Sequence, residues 1–171
     1  MKLIKYPNPL LHEISKEVTR DDMAAVLESV PEMTKIMKQT NGVGLAAVQV
    51  GILKTYCLLD LTKDLWKDPT LPDVLLVINP IIKQQLDPVM VSEGCLSLPL
   101  FHEKFERASE VLFTYKDENF LDKELTLKGL LAQCILHEKD HMMGILQFDK
   151  VSKTKQDMWI KKAKKRELLD D

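Results

Sequence analysis

The chain reads as an α+β protein: mixed or antiparallel β-strands packed around a buried helix, with a further helix at the C-terminal end. Three observations predict this. Short runs of β-favouring or apolar residues fall at 56–60, 74–78, 89–91, 111–115 and 121–127. A stretch at 129–143 is apolar on most sides, as a buried helix is, yet it carries two histidines and two acids. The segment 152–169 is helical in pattern and polar apart from a cluster at Met158, Trp159 and Ile160.

Taken in order, residues 21–39 predict a first helix, with Met23, Leu27, Met33, Ile36 and Met37 as an imperfect apolar stripe. Pro31 predicts a kink or break within it, because proline cannot donate the helical hydrogen bond. Asn41-Gly42-Val43-Gly44 ends that helix and leads to a glycine-rich turn before a strand. Runs 56–60 and 74–78 flank a polar, proline-bearing surface excursion at 62–73. A turn through Asp117-Glu118-Asn119 joins the last two strands.

At 171 residues the chain suits one domain, 1–171, of which 151–171 forms a basic C-terminal helix. A net charge of −2 argues against nucleic-acid binding by the molecule as a whole. Residues 150–171, however, hold eight Lys or Arg against four Asp or Glu, so this end could meet an anionic surface or be a solvated helix face. Three cysteines are an odd number and too few for a disulfide framework, which suits a reducing compartment. With no apolar signal segment at the start and no apolar run near the ~20 residues that span a bilayer, a cytoplasmic protein is expected.

The chemistry concentrates in three segments. His137-Glu138-Lys139-Asp140-His141 places two histidines four apart on a helix, separated by roughly 40° and 6 Å, so both rings can reach one cation. Glu138 adjoins them and can take a proton from a water activated there. Satisfied core histidines are the bland alternative, but unpaired ionisable groups are costly inside an apolar helix. A catalytic metal needs a third protein ligand, for which Cys95, Cys134, His12 and His102 are candidates. Cys134 shares the helical face of His137 but lies ~10 Å along the axis from His141, which suits a pocket wall better.

Cys95 stands in Ser92-Glu93-Gly94-Cys95-Leu96-Ser97-Leu98-Pro99 just after a predicted strand, and reads either as a ligand or as a small buried apolar residue. A thiolate beside two imidazoles suits zinc or ferrous iron. In the third segment, Gly42 to Gln49, small residues let backbone approach a ligand, and the Gln49 amide can donate a hydrogen bond. No Gly-Lys-Ser/Thr follows, so it is not a phosphate loop.

Together, and in this order, the three segments resemble the signature motifs of the peptide deformylase family: Gly-x-Gly-Leu-Ala-Ala-x-Gln at 42–49, Glu-Gly-Cys-Leu-Ser at 93–97, and His-Glu-x-Asp-His at 137–141. The likeness extends to Ile4–Leu10, Ile78-Asn79-Pro80, Gly129-Leu130-Leu131-Ala132 and Gly144. It implies Cys95, His137 and His141 as metal ligands, Glu138 as general base and acid, and Gln49 with the Leu96 N–H as donors to an oxyanion. It implies Val43, Gly44, Val91, Leu130, Gln133 and Cys134 as walls of a methionine pocket, with Glu93 supporting the site through hydrogen bonds. The reaction implied is removal of the formyl group from the N-terminal formyl-methionine of newly made proteins. Fe²⁺ is the metal implied, with Zn²⁺, Ni²⁺ or Co²⁺ as substitutes; a monomer, with a ribosome contact through the basic helix, is the expected state. Leu136, Met142-Met143, Ser92 and His102 depart from the family's usual residues, and about ten residues near 65–73 look like an added loop.

Two rivals share the metal helix. A zinc endopeptidase would use a histidine or glutamate downstream of the helix as third ligand, and no histidine follows His141. A non-catalytic metal-stabilised binding protein would need neither Glu138 nor Gln49.

Overall fold

The computed structural model describes residues 1–63 and 68–169. Helix α1 spans Met23–Gln39, followed by strands β1 (Gly44–Ala46), β2 (Tyr56–Asp60), β3 (Val74–Cys95), β4 (Leu98–Lys116) and β5 (Asp122–Lys128). Helices α2 (Gly129–Met142) and α3 (Lys153–Lys165) come last. The strands form one sheet in the order β1-β2-β3-β4-β5, and every ladder within it is antiparallel. The α+β expectation holds, with an antiparallel rather than mixed sheet.

Alternation along β2 and the start of β3 explains the layering. Tyr56, Leu58, Leu76 and Ile78 point to one side and pack with Val26, Met33, Ile36 and Met37 of α1. Cys57, Leu59, Leu75 and Val77 point to the other and pack with Leu131, Ala132, Ile135 and Leu136 of α2. The strand covered on both faces therefore reads as an unbroken apolar run. A third cluster, with Leu11, Leu98, Phe101, Phe148, Trp159 and Ala163, docks α3 and the N-terminal segment against the β3–β4 hairpin. Trp159 anchors it by donating to the Pro99 carbonyl at 3.0 Å and packing edge-on against Phe101.

Three local expectations change. Pro31 sits inside α1 without ending it. Its missing donor would have served the carbonyl of Leu27, a residue 43% exposed, where solvent can take over that bond. The strand read at 89–91 is part of a much longer β3, and β4 begins thirteen residues before the run at 111. These extensions form a two-stranded ribbon that is largely solvent-exposed along β3, so no one-sided apolar pattern marks it. In α3, Trp159 and Ala163 are the buried residues, whereas Met158 is 69% exposed. The added loop expected near 65–73 lies partly outside the described residues. No helix among the described residues is long and apolar enough to cross a membrane.

Candidate metal centre and active site

The hairpin end of β3 delivers Cys95 to the face of α2, where consecutive helical turns present His137 and His141. Cys95 Sγ lies 3.2 Å from His141 Nε2, and the two histidine Nε2 atoms are 3.1 Å apart. All three candidate donor atoms fall within 4.8 Å of one another. Two nitrogens tetrahedrally bound at ordinary Zn–N lengths stand roughly 3.3 Å apart, so this donor set fits a shared cation. Cys134 is outside that group; its Sγ instead stands 3.8 Å from Glu138 Oε1, on the pocket wall.

The surrounding groups fix both histidines. His137 Nδ1 faces Glu93 Oε2 at 3.4 Å, leaving Nε2 for the centre. Glu93 is gripped by Arg107 through Nε at 2.6 Å and Nη2 at 3.1 Å, and Arg107 also meets Asp140 at 2.8 Å. Burial alone would raise the Glu93 carboxyl, but the bonds from His137 and Arg107 outweigh it and hold its pKa at about 2. Burial, with the charge of His137 beside it, lowers His141 and favours the neutral ring that binds metals.

Glu138 is 3% exposed and points toward the same space. Burial, opposed only in part by His137 and the Ala46 backbone, pushes its pKa up to about 7. Its Oε2 is buried without a partner among the described residues, as is Nδ1 of His141. A carboxyl in that state can accept and return a proton near neutral pH. Gly44 must be glycine here, since a Cβ would come within 2.5 Å of both Cys134 Sγ and Glu138 Oε1.

Gln49 is 1% exposed, in the short helical turn Ala47–Val50. Its Oε1 accepts from the Ala46 N–H at 2.9 Å, which leaves Nε2 to donate to Ser97 Oγ at 3.1 Å and to face Cys95 Sγ at 3.8 Å. The amide is thus oriented with its donor toward the centre. A cleft of about 380 Å³ opens over these groups. Val43, Gly44, Leu96, Leu130, Gln133 and Cys134 line it, together with Gln49, Glu93, Cys95, His137 and Glu138. Val91 lies outside this lining, paired with Phe105 across the β3–β4 ribbon. His102 reaches the cleft, its ring against Gly94.

Sequence reasoning gave Ser97 no role beyond its place in the 93–97 motif and passed over Arg107 and Gln147. Arg107 lies four residues beyond Glu103, the strand partner of Glu93, in a part of β4 with no readable strand pattern. Gln147, 2% exposed, donates to Glu93 Oε2 from the turn after α2, and only the fold brings it there.

One sulfur, two imidazoles and a buried proton-accepting carboxyl at the floor of an open cleft define a metal-dependent hydrolase. The Polypeptide deformylase family matches residues 1–157. A peptide deformylase of Mesorhizobium japonicum is 38% identical over 164 residues, covering 95% of this chain and 90% of its own length. The crystal structure of peptide deformylase from Ehrlichia chaffeensis superposes with a TM-score of 0.85 at 31% identity, over 99% of this chain and 97% of that one. That of the Synechococcus elongatus peptide deformylase in complex with actinonin gives a TM-score of 0.80 at 35% identity, over 94% and 84%. The chain belongs to the polypeptide deformylase family.

Proposed function

We propose that the cleft hydrolyses the formyl amide on the N-terminal methionine of new proteins, with Cys95, His137 and His141 holding the metal and Glu138 carrying the proton. The observation that carries this reading is Glu138 itself, a buried carboxyl held near neutrality beside the three donors and open to the cleft. A divalent cation held by Cys95, His137 and His141 would supply the acidity, lowering the pKa of a water there from about 15.7 toward about 7. Glu138 accepts the proton of the attacking water as the water oxygen bonds to the formyl carbon. The oriented Gln49 amide and the Leu96 N–H stabilise the charge that develops on the formyl oxygen. Glu138 then gives the proton to the methionine nitrogen as the carbon–nitrogen bond breaks, releasing formate. Val43, Gly44, Leu130, Gln133 and Cys134 enclose the methionine side chain, and Val91, outside the cleft lining, takes no part in that enclosure.

The reading extends to Fe²⁺ as the cellular metal on the family resemblance alone, since one thiolate with two imidazoles suits Zn²⁺, Ni²⁺ and Co²⁺ as well. Formate release from a formyl-Met peptide tests the function directly. Release should stop on chelation and return with Fe²⁺, Ni²⁺ or Co²⁺. Cleavage of internal peptide bonds without formate would mean an endopeptidase instead.

The same reading places the protein in the cytoplasm beside translation, with α3 as a ribosome contact. Lys161, Lys162, Lys165 and Arg166 surround the exposed Met158 on one side of α3. Changing these four cations to Glu should abolish ribosome co-sedimentation at low salt and leave formate release from free peptide unchanged. Equal sedimentation of the variant would remove this contact.

A further inference from the structure

Glu93 Oε2 receives more donors than one carboxylate oxygen can serve well. Arg107 Nη2 approaches it at 3.1 Å and His137 Nδ1 at 3.4 Å, while Gln147 Nε2 also donates to it. Glu93 Oε1, by contrast, receives Arg107 Nε at 2.6 Å. The histidine contact is longer than either bond from Arg107, although this is the bond that orients a metal ligand. Gln147 is held tightly, 2% exposed, in the turn Gln147–Lys150 that follows α2. Its Oε1 is buried with no partner among the described residues. A glutamine kept for packing alone would not strand a buried acceptor, which an apolar side chain of equal length avoids.

We propose that Gln147 is a positioning residue that weakens the Glu93–His137 hydrogen bond and so moderates how strongly His137 donates to the metal. A carboxylate bonded to the outer nitrogen of an imidazole raises the basicity of the inner one. A competing amide on the same oxygen lowers it. His137 then holds the cation less tightly, and the cation keeps more of its own positive character for polarising substrate. The device acts at a distance, because Gln147 lies outside the cleft lining and is not among the candidate ligands. The inference rests on Cys95, His137 and His141 binding a cation together.

The test is Co²⁺ titration of the metal-free full chain against a competing chelator, comparing the natural protein with Gln147→Met and Gln147→Leu. Removing an outer partner of a ligand typically changes affinity by about 10–100-fold. Removing this competitor should act in the opposite direction, tightening Co²⁺ by roughly 3–10-fold in both variants and shifting the cobalt d–d bands. Melting of the metal-free variants should stay at or above that of the natural protein. Unchanged or weaker affinity with unshifted bands would overturn the proposal. So would failure of both variants to fold, which would make Gln147 a structural residue. Absence of a thiolate-to-cobalt band in the natural protein would instead sink the three-ligand centre, so the two failures are distinguishable.

Discussion

Glu138→Gln should lower formate release by about 10²–10⁴-fold while leaving the metal bound. The substitution keeps the side chain's size, so the gap beneath Gly44 and beside Cys134 stays filled. The carboxyl is not among the three donors, so their geometry persists. What disappears is a proton acceptor, since an amide cannot take a proton from water and return it to a leaving nitrogen. The effect should therefore fall on kcat more than on KM. Elemental analysis of the variant beside single-turnover formate release separates the two properties. Activity within tenfold of the natural protein, with full metal occupancy, would show that Glu138 is not the proton carrier.

How much of this was legible in the sequence depended on burial. Strand β2 and the first residues of β3 are covered on both faces, and their apolar runs gave correct strands at 56–60 and 74–78. Helix α2 announced itself through the conflict between an apolar circumference and ionisable residues, a conflict the Cys95–His137–His141 cluster resolves. The rest of β3 and the first half of β4 carry polar and apolar residues without order, because much of that ribbon faces water. Its existence depends on pairing across a hairpin, which leaves no periodic trace in either strand alone. The same blindness hid Arg107 and Gln147. Nothing in the residues around either one marks it as a partner of Glu93 until the turn at Cys95 and the turn after α2 have been built. The motifs thus reached the groups that face the cleft and Glu93 behind them, and missed Arg107 and Gln147, which hold Glu93 in turn.

Arg107 is the point at which that hidden support is most exposed to test. The guanidinium bridges Glu93 on β3 and Asp140 on α2, so it ties the strand bearing Cys95 to the helix bearing both histidines. Arg107 and Glu93 side chains are each 9% exposed, so removing one leaves a charge with little water to compensate it. Arg107→Met should therefore cost about 3–5 kcal/mol of stability, a fall in Tm of roughly 6–20 °C for a chain of this size. The loss should depend on pH in a definite sense. Glu93 is held at about 2 in the folded protein against an ordinary value of 4.5, so its contribution is complete above 4.5 and fades as pH falls toward 2. Without Arg107 the folded carboxyl titrates higher, and the variant has less of this contribution to lose on acidification. The difference in stability between natural protein and variant should accordingly narrow as pH drops from 4.5 toward 2. Denaturant melts of the metal-free proteins across that range measure it without interference from ligand binding. A gap that stays constant, or a variant as stable as the natural protein at pH 7, would show that Arg107 is not what holds Glu93 in its charged form.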